Sequence, residues 1–264
     1  MLINNEFIHV KFYETKKAKA TVIFLHGIAE NHLRYSELIN YLNKNNINVV
    51  AYDLRGHGKS GGKRGYVKSI DIFLEDLSEI VELTKRKYDT KIFLIGHSMG
   101  ALIVNLFLID NNVVDGAIVS GAAGDFVKQT NFLRIMPAKL LWFIKLKTNF
   151  NDPNLSKETS EGVEPEKDPY LLNYFYITLI GETMIKGIRR LRKGYKKITT
   201  PYLILHGEND VIIPPDNNLK FYNLMQSEDK KRIVYPGFYH NLLNDKGSES
   251  VFEDVKKWIK NQLK

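Results

Sequence analysis

The stretch Lys91-Ile92-Phe93-Leu94-Ile95-Gly96-His97-Ser98-Met99-Gly100-Ala101-Leu102-Ile103-Val104 decides how the rest of the chain is read. Lys91–Ile95 is a short apolar run of strand length, and Gly100–Asp110 has the length and composition of a buried helix. Between them stands Gly96-His97-Ser98-Met99-Gly100, a G-x-S-x-G motif in the strand–turn–helix setting that a nucleophile elbow requires. Such a turn leaves no space for side chains two residues to either side of the serine. It lifts the Ser98 hydroxyl above the sheet, and the helix N-terminus behind it favours developing negative charge.

Outward from the elbow, apolar runs and helical patterns alternate. Strands are expected at Ile8–Tyr13, Ala20–Leu25, Val49–Tyr52, Val114–Ser120, Tyr202–Gly207 and Arg232–Tyr235. Helices are expected at Tyr35–Asn45, Ile70–Lys87, Asp216–Met225 and Glu249–Leu263. This rhythm predicts an α/β fold, a mostly parallel sheet with helices on both faces. It breaks after Gly121: residues 122–197 carry helical patterns and an acidic, proline-containing stretch but no convincing strand. The core is therefore assigned to 1–121 and 198–264, with 122–197 as a helical insertion. There are no internal repeats.

A serine nucleophile needs a base, and the base an orienting acid, in the chain order serine, acid, histidine. Only His206 and His240 follow Ser98. His206 sits at the end of a strand, ahead of any acid in the loop, and is the poorer base. His240 lies in the loop after Arg232–Tyr235. Asp210 follows Tyr202–Gly207; Glu208 reads as an exposed turn residue and Asp216 as a helix cap. Ser98, Asp210 and His240 thus fall at the carboxyl ends of three strands, where open α/β sheets place their sites. The oxyanion donors expected are the N–H groups of Met99 and of Ile28, in His26-Gly27-Ile28-Ala29-Glu30. His26 reads as a loop brace. No His/Asp/Glu spacing makes a metal site.

Asp53-Leu54-Arg55-Gly56-His57-Gly58-Lys59-Ser60-Gly61 imitates two nucleotide motifs. Gly56, Gly58 and Gly61 satisfy G-x-G-x-x-G, but Gly62-Lys63-Arg64-Gly65 follows where a helix should open. Gly58-Lys59-Ser60 resembles the end of a P-loop whose first glycine is here Asp53. The stretch reads as a structural turn in which Asp53 and Arg55 pair locally. No cofactor is expected.

The 264 residues contain no cysteine. That excludes a disulfide scaffold, thiolate zinc sites and iron–sulfur clusters. Met1–Tyr13 lacks the apolar core of a signal peptide and no apolar run reaches spanning length, so a cytoplasmic location is expected. The net charge is +8, and Lys186–Lys197 alone holds seven positive charges and no acid. Tyr195 is the only aromatic there, which argues against nucleic acid. With Ile188 and Leu191 on a buried face, the patch is either a solvated helix face or a weak peripheral contact for anionic membrane.

The chain resembles the monoacylglycerol lipase/lysophospholipase-like branch of the α/β-hydrolase superfamily. The matching pieces are Phe24-Leu25-His26-Gly27-Ile28-Ala29-Glu30, Arg34-Tyr35, Asp53–Gly61, Gly96–Gly100, His206-Gly207-Glu208-Asn209-Asp210 and Gly237-Phe238-Tyr239-His240-Asn241-Leu242-Leu243-Asn244. Ala101 departs from them, standing where the family usually has glycine. The resemblance implies an α/β-hydrolase fold, with the insertion as a cap over an acyl pocket and Glu30 and Arg34 near the polar head of a glyceryl ester. At i,i+4 those two also suit simple pairing with each other. Phe132–Phe150 reads equally as a helix packed on the core and as an acyl wall that touches a membrane. The expectation is a cofactor-free serine ester hydrolase acting on lipid-like monoesters. Two alternatives are an aminopeptidase-like enzyme, with Glu158, Glu161, Glu164 and Glu166 binding a free amine, and a non-catalytic lipid-binding protein on the same scaffold.

Overall fold

The computed structural model describes residues 1–135, 138–156 and 168–264. A small antiparallel hairpin, β1 (Leu2–Ile3) with β2 (Glu6–Phe7), precedes the main sheet. Seven strands form that sheet: β3 (Val10–Tyr13), β4 (Ala20–Leu25), β5 (Ile47–Tyr52), β6 (Lys91–His97), β7 (Gly116–Ser120), β10 (Tyr202–Gly207) and β11 (Lys230–Tyr235). Their spatial order is β11-β10-β7-β6-β4-β5-β3, and only β3 runs antiparallel. β8 (Lys145–Lys147) and β9 (Tyr174–Tyr176) pair separately, antiparallel to each other.

The central strands are buried along their whole length, because the crossover connections place helices on both faces. Alternate side chains serve two cores. Val22, Phe24, Val49, Ala51, Phe93 and Ile95 pack toward α1 (Ser36–Lys44) and α7 (Glu249–Asn261). Ile23, Leu25, Val50, Tyr52 and Leu94 pack toward α2 (Asp71–Lys87) and α3 (Met99–Asp110). Every α3 residue except its last is buried, since α3 lies between the sheet and the helical run α4 (Ile177–Ile180), a π-helical Gly181–Gly187 and α5 (Ile188–Gly194). Gly194 permits the close crossing: a Cβ there would meet Ile109 at 2.5 Å. Beyond β10, a 3₁₀ turn at Pro215–Asn218 leads into α6 (Leu219–Leu224), where one longer helix was expected. Asp216 lies inside that turn, and its cap position is Pro214.

The insertion differs from its expected form. It contains β8 and β9, and the described residues of Phe132–Phe150 form 3₁₀ turns (to Arg134 and at Ala138–Leu141) followed by β8, where a helix was one expectation. These strands have three residues each and pair across more than 25 positions, so no local pattern announced them. The described parts of the segment hydrogen-bond to the core through Leu172 N–H to Ala29 O (2.9 Å), Tyr176 N–H to Gly65 O (2.8 Å) and Asn31 to Asp168 (2.7 Å). The Asp53 turn also differs: Arg55 pairs with Asp76 at 2.6 Å, while Asp53 accepts from His32 and from the Lys59 N–H. Among the described residues no helix is long and apolar enough to cross a membrane.

Candidate active site

The turn from β6 into α3 holds Ser98 at φ 50°, ψ −111°. A non-glycine residue in that region carries strain of order 1–3 kcal/mol, sustained only where the surroundings fix it. They do so here. The Ser98 N–H donates to Ser120 O at 2.9 Å, tying the elbow to β7. A Cβ on Gly96 would meet Gly100 O at 2.6 Å, and one on Gly100 would meet Leu25 O at 2.4 Å. The two motif glycines are therefore required by close approach of backbone.

The structure brings Ser98, His240 and Asp210 into one line. Ser98 Oγ is 3.0 Å from His240 Nε2, and His240 Nδ1 is 2.7 Å from Asp210 Oδ2. The ionised acid can only accept, so the imidazole proton sits on Nδ1 and the Nε2 lone pair faces the serine. Burial opposes the charge of Asp210. His240, His206 and the Ile213 N–H outweigh it and hold the carboxyl well below the usual range. His97, buried next to His240 with ring centroids 5.0 Å apart, is pushed down to about 4 by burial and by His240. It bridges Ser120 Oγ and Asn241 Oδ1, both at 3.2 Å, as a neutral spacer beneath the site.

Ile28 and Met99 both line the space around Ser98. Met99 begins α3, so its N–H has no intrahelical acceptor. The Ile28 N–H has no acceptor among the described residues either. Ala29, at φ 63°, turns the loop at this point. Two cavities diverge from Ser98. One, of about 370 Å³, is lined mainly by apolar side chains, among them Met99, Val127, Ile180, Met184 and Ile213. The other, of about 310 Å³, is the more polar of the two: Glu30, Lys147, Asn149, Asp152 and Asn241 stand among apolar side chains such as Phe150, Leu155 and Phe175.

Glu30 and Arg34 are both buried and pair with each other, Arg34 Nε to Glu30 Oε1 at 3.0 Å. Glu30 Oε2 also accepts from the Gly27 N–H (2.9 Å) and the Tyr35 hydroxyl (2.5 Å). Glu30 borders the polar cavity, whereas the Arg34 guanidinium stacks 5.1 Å from the Phe150 ring. Its Nη1 and Nη2 have no hydrogen-bond partner among the described residues. His26 accepts from the Leu54 N–H and binds Gly27 O, joining two loops. The acids Glu158, Glu161, Glu164 and Glu166 lie outside the described residues.

Lys147, Asn149 and Asp152 at the polar cavity were missed by the sequence reading, which had no way to fold the insertion over the sheet. The cluster His9, His32 and Asp53, with ligand-type atoms within 4.8 Å of one another, also escaped the spacing argument against metal. Asp53 there already accepts from the His32 N–H (2.9 Å), His32 Nδ1 (2.7 Å) and the Lys59 N–H (2.8 Å). A cation would have to displace those donors. In Lys186–Lys197, Lys186 pairs with Glu182, Arg190 with Asp71 and Asp110, Arg192 with Asp125 and Lys197 with Asp110. Four of its seven basic side chains are thus paired with acids outside the patch.

Residues 16–247 match the model of the family described as serine aminopeptidase, S33. The monoglyceride lipase of Mus musculus is 26% identical over 98% of this chain and 89% of its own length. The monoacylglycerol lipase of Mycolicibacterium smegmatis is 28% identical over 93% of this chain and 89% of its own. The crystal structure of Paleococcus ferrophilus monoacylglycerol lipase superimposes with a TM-score of 0.82 at 26% identity, covering 97% of this chain and 99% of that one.

Proposed function

The chain belongs to the serine aminopeptidase, S33 family, and from that premise we propose that it is a serine hydrolase of lipid-like carboxylic monoesters, of the monoacylglycerol lipase or lysophospholipase type. The observation that carries this is the hydrogen-bonded line Asp210–His240–Ser98, ending where an apolar and a polar cavity meet. Lipases among the relatives support the ester, rather than the amide, as substrate.

Ser98 Oγ attacks the ester carbonyl carbon while His240 Nε2 takes the hydroxyl proton. Asp210 holds the imidazole in its Nδ1–H tautomer and stabilises its cationic form. The Ile28 and Met99 N–H groups receive the tetrahedral oxyanion. As the C–O bond to the alcohol breaks, His240 returns the proton to the departing alkoxide oxygen. Water then attacks the acyl carbon while His240 takes its proton; the Ser98 Oγ–acyl bond breaks, His240 returns the proton to Ser98 Oγ, and the fatty acid leaves. The apolar cavity takes the acyl chain and the polar one, with Glu30 at its edge, the alcohol head. Residues 122–197 serve as the cap that forms both walls. Arg34 acts through Glu30, whose carboxylate it fixes.

The protein works from the cytoplasm and meets membrane peripherally. The contact lies on the cap segment rather than at Lys186–Lys197: Phe132, Ile135, Leu140, Trp142 and Phe143 are exposed there, followed by the exposed Lys145 and Lys147. Apolar side chains flanked by lysines suit an interface.

The test is a panel of monoacylglycerols and lysophospholipids of graded chain length, with products identified by mass. Fatty acid is expected from wild type and none from Ser98→Ala. Undiminished release by the variant, or turnover of peptides with no release from any ester, overturns the assignment.

A further inference from the structure

Asp210 is shared by two imidazoles. Its Oδ2 lies 2.7 Å from His240 Nδ1 and 3.1 Å from His206 Nε2. Its Oδ1 accepts from the Ile212 and Ile213 N–H groups at 3.0 and 2.8 Å. Three hydrogen-bond donors, His240 Nδ1 and the Ile212 and Ile213 N–H groups, thus reach the carboxylate, and His206 Nε2 is a fourth polar neighbour beside Oδ2. The side chains of His206 and Asp210 are both 0% exposed, so solvent cannot replace a donor lost here.

The tautomer of His206 follows from its neighbours. Arg232 Nε lies 3.0 Å from Asn218 Oδ1, and a guanidinium only donates, which fixes the orientation of the Asn218 amide. Asn218 Nδ2 therefore donates, to Ala122 O at 3.3 Å and to His206 Nδ1 at 2.9 Å. Nδ1 is then the acceptor and the His206 proton sits on Nε2. That N–H donates to Ile213 O (2.7 Å), and the same nitrogen lies 3.1 Å from Asp210 Oδ2. Arg232 is itself fixed by Pro215 O at 2.7 Å.

We propose that His206 is a positioning residue for the acid of the hydrolytic site: the run Arg232–Asn218–His206 locks the His206 proton onto Nε2 and keeps the positive N–H edge of a second imidazole against the Asp210 carboxylate. The inference rests on the ester-hydrolase reading. His206 touches neither substrate nor Ser98. It holds the carboxylate in place and draws off part of its charge, so that His240 is oriented without being overstabilised as a cation. Without that contact the charge of Asp210 falls more fully on His240. The other ionisable groups around the pair are His97 beside His240, Glu30 beyond His97, and Arg232 behind Asn218. None of them is altered in the test.

The experiment compares wild type, His206→Leu and His206→Gln in the pH dependence of kcat/KM on a short p-nitrophenyl ester, with folding followed by circular dichroism. In His206→Leu the acidic limb is expected to move up by about half a pH unit, with KM little changed. His206→Gln, whose amide can donate, moves it back toward wild type. A folded His206→Leu with the wild-type limb overturns the proposal. Nitrogen-15 histidine spectra of wild type, with the His206 signals assigned by their loss in His206→Gln, read the tautomer directly and need neither turnover nor a folded leucine variant. The Nε2–H form is expected, and the Nδ1–H form overturns the proposal. Failure of the ester-hydrolase reading shows separately, as wild type that turns over no ester or Ser98→Ala that keeps the activity.

Discussion

The sheet buries its central strands on both faces, and two connected cores run along it. The described part of the 122–197 segment joins the larger core through Val127, Leu179, Ile188 and Leu191, has a small cluster of its own in Leu133, Ile177 and Ile185, and leaves Ile135 90% and Phe143 61% exposed. In the first region every position is dictated by packing, and the reacting groups stand on its strand ends at fixed separations. In the second, the surface around Ile135, Leu140, Trp142 and Phe143 lacks such packing, which places that part at the low-stability end of the molecule. Chemistry that tolerates little misplacement is thus mounted on the rigid part. On the proposed reading, selection among acyl chains and head groups is left to the part that can repack.

The largest effect that would sharpen this contrast is at the acid. Asp210→Asn removes the charge that fixes the His240 tautomer and is expected to lower kcat by about 10⁴-fold with the fold retained. Steady-state ester kinetics measure it, and a loss below tenfold would mean that the rigid constellation is not what sets the rate. Next comes packing. Phe93→Ala, in the sheet and edge-on to Trp258 at 6.0 Å, is expected to cost about 3–5 kcal/mol in urea unfolding. A loss there no larger than that of Leu133→Ala in the cap cluster would erase the distinction between the two regions.

Acid exposes the same asymmetry. His97 is pushed down to about 4 by burial and by His240, and His57 to about 3 by burial and by His26. The unfolded chain takes up these protons near pH 6.5, the folded one only at the lower values. The stability contributed by keeping them neutral is therefore complete above about pH 6.5 and drains away as pH falls toward 4. For His97 the loss approaches about 3 kcal/mol. Asp210, with its depressed carboxyl, adds its own loss only below about 4. Unfolding free energy measured at pH 7.5 and 4.5 should drop in wild type and drop less in His97→Gln; equal values at the two pH points would contradict the buried neutral imidazoles. The smallest effect belongs to the cap surface. Trp142→Ser, at a side chain 57% exposed, is expected to shift stability by no more than about 0.5 kcal/mol. It should nonetheless slow hydrolysis of vesicle-borne ester while sparing a soluble one, and equal rates on both would remove the membrane contact.

Sequence reached the sheet and its site because both follow local rules. The strand–turn–helix around Gly96–Gly100 is spelled in consecutive residues, and Asp210 and His240 could be found from strand ends and chain order alone. The small pairs β1–β2 and β8–β9 were invisible, being two or three residues long and, for β8–β9, joined only by distant pairing. The partners of the Lys186–Lys197 patch were out of reach for the same reason: Asp71, Asp110 and Asp125, which pair with Arg190, Arg192 and Lys197, belong to other elements. Arg55 likewise found Asp76 on α2 instead of the neighbouring Asp53. His206 was weighed only as a rival base, although its i,i+4 spacing to Asp210 already hinted at a shared role.

The central claim is that Ser98, positioned by His240 and Asp210, is an activated nucleophile. A fluorophosphonate probe tests it most directly, since phosphonylation requires the same attack and the same oxyanion donors as ester hydrolysis. Intact-mass and peptide analysis after brief exposure should place one adduct on the peptide containing Ser98, absent in Ser98→Ala and strongly reduced in His240→Ala. A wild-type protein that stays unlabelled, or one labelled equally well without His240, would contradict the account.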